Sequence, residues 1–466
     1  MDLQQRQRHM LYEELASIVG VANVMDDQAT LSAYAQDVSP FPPISPSIVV
    51  RPGTIGEISE IMKLATKAKS PIITRGVGTS FTGFLDSSPG RSIILETRRM
   101  NRILEIDKEN MTVTAECGAL MSELEDAVMG RGLYVHTVTV PVRFSTLGGV
   151  LSGVVGGGLP VRGAVAGTDA NQLLGLKVVL ADGRIVSTNA GGSNVNAKRD
   201  YVRGGNGPDL TGIFVGDGGY FGVKVEATLK IFPQPNLTAT GSWVFSDFEK
   251  AWSAMNSLMK MHTTPYSQLK VRYMTDYSLM YEAVGENQSE LESKIAAINR
   301  ACKENGGKEA PEDLKQFSSK FNDYMRDEER VKAPQGMTAY IIGKKEFPHA
   351  YMEIKQLIER RVAERRLGEL GVSSVSTFRP NELTSVYANI AIRYDPSRPQ
   401  SRSEVLSLYK ECYAKIVELG GSPEPHQGFG SIVQSAAWSP EYRKVVMEMK
   451  KILDPSGVLN PAVWAL

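Results

Sequence analysis

The sequence predicts an α+β protein of more than one domain, and three observations carry that prediction. At 466 residues the chain exceeds what one hydrophobic core ordinarily serves. Up to about Pro235, short apolar runs alternate with amphipathic helical patterns, and three glycine-rich loops stand beside them. Beyond Pro235 glycine thins out, and longer helical patterns alternate with strand candidates, the mark of a second unit with an antiparallel sheet.

Taken in order, Leu3 to Val19 places Met10, Leu11, Leu15, Ile18 and Val19 at helical spacing, and Gly20 follows as a stop. A proline-rich link, Ser39 to Pro46, precedes the buried-strand run Ser47-Ile48-Val49-Val50. Thr54-Ile55-Gly56-Glu57 has the Thr-x-x-Glu form of a capping box and opens a helix through Ala68. The strand Pro71 to Thr74 then runs into Arg75-Gly76-Val77-Gly78-Thr79-Ser80-Phe81-Thr82-Gly83, the first glycine loop. Glycine lets a backbone turn sharply and come close to a ligand, and successive N–H groups in such a turn suit an anion. The spacing matches neither the P-loop nor the dinucleotide fingerprint, so a phosphate cradle and a structural loop both stand on these residues alone.

Strands follow at Ser92 to Leu95 and Met111 to Thr114, then a helix from Ser122 to Met129 and a strand at Leu133 to Val135. The second glycine cluster, Thr146 to Gly158, carries six glycines among apolar residues; close approach of another strand or of a planar cofactor would explain it. Leu174 to Leu180 and Ile185 to Ser187 flank the turn Ala181-Asp182-Gly183-Arg184 as a hairpin. The third cluster, Gly204 to Gly207 and Gly216 to Gly222, leads into the strand Val223 to Phe232.

In the second unit, Ser246-Asp247-Phe248-Glu249 reads as a capping box for a helix to Met261, and Glu290 to Cys302 and Glu346 to Leu367 as further helices. Strands are expected at Ser267 to Tyr273, Met337 to Ile342 and Ser385 to Tyr394, with a polar loop or lid over Asn305 to Pro334.

Lys plus Arg and Asp plus Glu balance at 52 each, which gives no reason to expect nucleic acid or an anionic membrane as partner. Met1 to His9 lacks the apolar core of a signal peptide and no apolar run reaches a membrane span, so the expectation is a cytoplasmic protein. Cys117, Cys302 and Cys412 are far apart, which supports neither a disulfide framework nor an iron–sulfur site. The five histidines lack metal-ligand spacing, and no metal is expected.

The stretches RGVGTSFTG at Arg75 to Gly83, the run from Gly148 to Val186 with AGTDANQLLGLKVVLADGRIV, and GDGGYFGVKVEATLKIFPQP at Gly216 to Pro235 resemble, in order and spacing, the FAD-binding domain of the vanillyl-alcohol oxidase and p-cresol methylhydroxylase superfamily. Pro46 to Thr54 and the tail Lys451 to Pro461 fit the same pattern, so the resemblance spans nearly the whole chain. It implies a two-subdomain α+β FAD domain over residues 42–235 after a helical segment 1–41, a substrate cap with an antiparallel sheet over 236–425, and a tail 426–466 returning to the FAD domain. It implies diphosphate contacts from Arg75, Gly76, Val77, Gly78, Thr79, Ser80 and Gly83, flavin and ribityl contacts from Thr146, Gly148, Gly149 and Gly153, Ile185 near the adenine, and a part for Asn460 in the tail.

Gly420 to Gly430 is similar to the segment that carries Glu-His-Gly-x-Gly in the glycolate oxidase and D-lactate dehydrogenase branch, here with Pro425 between Glu424 and His426 and with Gln427 after it. His426 is the candidate base, since imidazole titrates nearest neutrality. Arg379 and Arg393 are the candidate carboxylate clamps, because a guanidinium offers a bidentate fork. Two departures matter. Thr79 stands close to where bicovalent relatives carry a flavin-linked histidine, and Tyr387 to Asp395 occupies the region of the metal-binding His-x-Gly-Asp-Gly-x-x-His. The implied function is an FAD-dependent oxidoreductase moving a hydride from a small 2-hydroxy acid or alcohol to flavin N5. Electrons would pass to oxygen or to a protein acceptor such as an iron–sulfur subunit, a cytochrome or an electron-transferring flavoprotein. A 4-substituted phenol oxidase and a flavin subunit of an electron-transfer complex are the alternatives, and a homo-oligomer stays open.

Overall fold

A computed structural model of the chain describes residues 3–37, 39–80, 89–135, 144–153, 172–197, 200–204, 207–261, 266–272, 276–320, 335–381, 384–395, 397–424 and 428–464. Three sheets organise them. The first has the order β1-β2-β4-β3, from β1 (Val24–Met25), β2 (Ile48–Val50), β3 (Ile72–Arg75) and β4 (Ile93–Glu96). β2, β4 and β3 run parallel, and β1 caps the edge antiparallel. Parallel pairing demands a crossover, and α3 (Ile55–Ala68) supplies it after α1 (Leu3–Val19) and α2 (Gln28–Tyr34). Thr54 caps α3 as its sequence requires: its side chain accepts the Glu57 N–H at 3.1 Å, and the Glu57 carboxylate accepts the Gly53 N–H at 2.6 Å. Ile58, Ile61 and Met62 of α3 are wholly buried, each worth roughly 1.5–3 kcal/mol against exposure.

The second sheet is antiparallel, in the order β5-β6-β10-β8-β9, with β7 also paired to β10. Its members are β5 (Ile103–Asp107), β6 (Thr112–Glu116), β7 (Leu133–Val135), β8 (Leu173–Val179), β9 (Ile185–Ser187) and the long β10 (Val223–Pro233). The polar side of α3 stitches the two sheets together: Ser59 Oγ donates to the Gly183 carbonyl at 2.6 Å and Thr66 Oγ1 to that of Ala181 at 2.7 Å. α4 (Met121–Met129) and α5 (Leu147–Gly153) pack on this sheet. α5 is a finding the glycine count concealed. Each glycine costs a helix about 1 kcal/mol against alanine, so propensity does not make this turn. Tertiary contacts do, because the Leu147 and Gly148 N–H groups donate to the carbonyls of Ala119 and Cys117 at 2.9 and 2.7 Å.

The third sheet has eight antiparallel strands in the order β14-β11-β13-β12-β16-β17-β15-β18. They are β11 (Leu237–Phe245), β12 (Tyr266–Arg272), β13 (Asp276–Gly285), β14 (Lys308–Glu309), β15 (Gln335–Gly343), β16 (Ser373–Asn381), β17 (Ser385–Arg393) and β18 (Ser422–Glu424). Helices Phe248–Met261, Gln288–Glu304, Phe347–Glu364 and Pro399–Glu418 bury one face of it in a single core. From the other face Met280 enters the core of the second sheet. The chain before β2 also reaches over, since Arg402 Nε donates to the Pro40 carbonyl at 2.9 Å and Phe41 lies edge-on to Tyr409 at 5.8 Å.

Three sequence expectations need correction here. Asp247, not Ser246, caps the helix at Phe248: its carboxylate accepts the Lys250 N–H at 2.9 Å, and Ser246 Oγ donates to that carboxylate. The stretch expected as a loop from Asn305 contains β14 and the helix Glu312–Ser319, with 321–334 outside the described residues. β11 and β13 are full strands paired along their whole length, where no strand is expected from the sequence. No helix among the described residues is long and apolar enough to cross a membrane.

Candidate functional site

The three glycine clusters, separated by up to 147 positions in sequence, meet in one place. β3 delivers the first. Arg75, at its end, points back into the protein: Nη1 and Nη2 donate to the Tyr34 and Gln36 carbonyls at 2.8 and 2.9 Å, and the guanidinium lies over the Tyr34 ring. Burial outweighs the nearby Asp37, Tyr34 and Glu96 and lowers its pKa from the usual arginine value. Arg75 therefore supports the loop from behind. Gly78 has φ +84°, and a Cβ there would overlap the Arg75 guanidinium. A Cβ on Gly76 would overlap the Thr146 side chain, which brings the second cluster against the first. Thr79 Oγ1 and Ser145 Oγ lie 3.5 Å apart across the same seam.

Among the described residues, the N–H groups of Gly76, Val77, Gly78 and Thr79 donate to no protein acceptor. Four successive donors open among the described residues, in a turn where Gly78 takes φ +84°, suit anionic oxygens without a lysine. Ser80 is described beside them and Gly83 is not.

The second cluster differs in kind. Thr146 Oγ1 accepts the Gly149 N–H at 3.2 Å, and Gly148 lies against Cys117. The N–H groups at the start of α5 are thus spent on the protein, and what this cluster offers a cofactor is the exposed backbone at Gly149. Gly153 closes α5 in a buried position. The third cluster docks on that end: Gly216 and Gly218 N–H donate to the carbonyls of Leu151 and Ser152 at 2.9 and 3.0 Å. Asp217 accepts the Gly219 and Phe221 N–H groups at 2.9 and 3.1 Å and pairs with Lys224 at 2.5 Å, both side chains fully buried. Lys224 also donates to Ser152 Oγ at 2.8 Å. Sequence reasoning missed this pair, although Asp217 stands inside the quoted motif. Ile185 shares a register row with Val179 and Val223, which places it two strands across from the end of the third cluster.

Asn460 joins the pieces. Its amide accepts the Thr74 N–H at 3.2 Å and donates to Thr74 Oγ1 at 3.1 Å and to the Gly218 and Gly219 carbonyls at 3.0 and 2.9 Å. Lys450 braces the same tail. Its ammonium donates to the Tyr220 and Leu459 carbonyls and pairs with Asp454 at 2.8 Å, while burial lowers its pKa.

On the third sheet, the face away from its helices carries Tyr387, Asn389 and Arg393 of β17. The Asn389 Oδ1 and Arg393 Nε atoms are buried and have no hydrogen-bond partner among the described residues. Arg379 of β16 pairs with Tyr387, and Arg393 pairs with Ser373, so the two arginines stand at opposite ends of one ladder. Six residues of strand separate the two pairs, roughly 20 Å, too far for both to clamp one small carboxylate. Glu424 ends β18 opposite Ala339; His426, two positions on, lies outside the described residues. Among the described residues no cluster of His, Cys, Asp and Glu could hold a metal ion.

Residues 46–189 match the family model of an FAD binding domain, and residues 386–463 that of the FAD linked oxidases' C-terminal domain. The chain is 25% identical to the glycolate oxidase subunit GlcD of Bacillus subtilis, covering 96% of this chain and 95% of that one. It is 25% identical to the D-lactate dehydrogenase of Archaeoglobus fulgidus, covering 96% and 98%. The crystal structure of p-cresol methylhydroxylase with substrate bound superposes with a TM-score of 0.81 at 17% identity, covering 99% of this chain and 97% of that one. The first model spans the first two glycine clusters and the second runs from β17 into the tail that Asn460 anchors; the chain has the fold of p-cresol methylhydroxylase and is an FAD-linked oxidoreductase, with FAD as its cofactor.

Proposed function

We propose that the protein oxidises a small 2-hydroxy acid, with electrons leaving to oxygen or to a protein acceptor. Bound FAD supplies a two-electron acceptor for the hydrogen on the hydroxyl-bearing carbon. The chain supplies everything else. The N–H groups of Gly76 to Thr79, open among the described residues, hold the diphosphate, together with the Ser80 to Gly83 end of the loop. The exposed backbone at Gly149 lets the ring system lie close. Residues 42–235 form the flavin domain, 236–425 the cap, and 426–466 the returning tail.

The observation that carries the substrate class is Arg393. A buried guanidinium N–H without an acceptor is costly, and a carboxylate that answers it recovers charge-assisted bonding. On that ground Arg393 is taken as the clamp. His426 takes the hydroxyl proton as the C–H bond breaks, and the cap sheet excludes water from the exchange. The likeness to GlcD and to D-lactate dehydrogenase over nearly the full chain supports the same class.

The test is His426→Ala under anaerobic single turnover. Flavin reduction should slow by about 100-fold with FAD still bound, the usual size of a lost general base. An unchanged reduction rate removes His426 from the mechanism. Reoxidation of the reduced enzyme then separates acceptors: rapid reaction with air marks an oxidase, slow reaction a dehydrogenase that needs a protein acceptor.

A further inference from the structure

The helix Pro440–Leu453 turns Val446 and Lys450 inward and leaves a second apolar stripe outside. Tyr442, Val445 and Ile452 are 57%, 54% and 69% exposed, and Met449, half-buried with one side on the core of the second sheet, borders them. Their spacing, i, i+3, i+7, i+10, puts all four within one narrow band about 15 Å long. Monomers seldom leave an aligned apolar band uncovered.

The flank of the band says what covers it. Glu441, Lys444, Glu448 and Lys451 follow one another along a single edge of the stripe, all exposed and none in an ion pair among the described residues. Their signs alternate, negative, positive, negative, positive. A twofold axis that sets two such helices antiparallel brings the same edge of each together in reverse order. Glu441 then faces Lys451 of the second copy, and Lys444 faces Glu448. In that register Tyr442 meets Ile452 and Val445 meets Met449, so the apolar set is also its own complement. Isologous contacts of this kind are the commonest way for one chain to close an oligomer.

We infer that the C-terminal helix is a homodimer contact, two copies packing antiparallel through Tyr442, Val445, Met449 and Ile452 with the flanking charges fixing the register. One helix pair buries less than the ~1,600 Å² of a standard interface, so the dimer should dissociate on dilution.

Sedimentation velocity on the FAD-loaded protein tests it. The wild type should sediment at tens of micromolar with twice the 50.9 kDa chain mass. Lys451→Glu should give monomers with an unchanged flavin spectrum, because Glu441 then meets a carboxylate. The double variant Glu441→Lys/Lys451→Glu should restore the dimer, since the pattern is only inverted. Val445→Glu should dissociate it by the apolar route. A wild type that stays monomeric at tens of micromolar overturns the inference, including one that associates only with an added acceptor protein. A dimer untouched by Lys451→Glu, or a double variant that stays monomeric, overturns it as well.

Discussion

Asn460 and Thr74 are 386 positions apart and joined twice, the Asn460 amide taking the Thr74 N–H and giving one of its own to the Thr74 hydroxyl. The same amide holds the Gly218 and Gly219 carbonyls, and Asn460 sits at φ +37°, a conformation that asparagine tolerates better than most residues. The first glycine loop is therefore framed by the tail, by the third glycine cluster and by the strand that feeds it.

Asn460→Ala removes all four side-chain bonds and leaves buried carbonyls unanswered. Stability should fall by about 2–4 kcal/mol, and FAD should dissociate more readily. Denaturant midpoints with and without added FAD check both. An unshifted midpoint contradicts the latch.

Gly78→Val adds a branched side chain at φ +84° where the Arg75 guanidinium already stands. The expected product is protein without visible flavin absorbance, or aggregated protein. Gly76→Ala should act in the same direction through Thr146. A yellow, stable Gly78→Val protein would show that the turn is not the diphosphate cradle.

Much of this frame was legible from residues alone, because its signals are local. Thr54 with Glu57 marks a helix start by side-chain geometry, and an apolar run before a glycine loop marks β3. What stayed hidden depends on partners distant in sequence. α5 forms in a glycine-rich stretch because Cys117 and Ala119 lend it carbonyls. Asp217 looked like part of a glycine motif until Lys224 arrived from the next strand. The role of Asn460 rested on family resemblance, since nothing near it in sequence names Thr74. The separation of Arg379 from Arg393 is a matter of register, which a single strand pattern cannot supply.

The three thiols are inert by burial. Loss of solvation pushes the Cys117 and Cys302 thiols up to about 12 and Cys412 up as well. The native protein should consume no thiol reagent at neutral pH, and the unfolded chain should consume three equivalents. Rapid native labelling of any one would contradict that packing.

Arg393→Met should raise KM for a hydroxy acid and lower kcat/KM by about 100-fold, the loss expected of a charge-assisted pair, while the flavin spectrum stays as it was. Arg379→Met, at the other end of the ladder, should change KM far less. The reverse order of effects would move the clamp to Arg379.

Whether this flavoprotein oxidises a hydroxy acid is read from anaerobic titration of its visible spectrum. D- and L-2-hydroxy acids are mixed in turn with the oxidised enzyme, and 4-alkylphenols serve as the contrasting class. Bleaching by one enantiomer of a 2-hydroxy acid, abolished in Arg393→Met at the same concentration, is the predicted result. Bleaching by a 4-alkylphenol and by no hydroxy acid would contradict it.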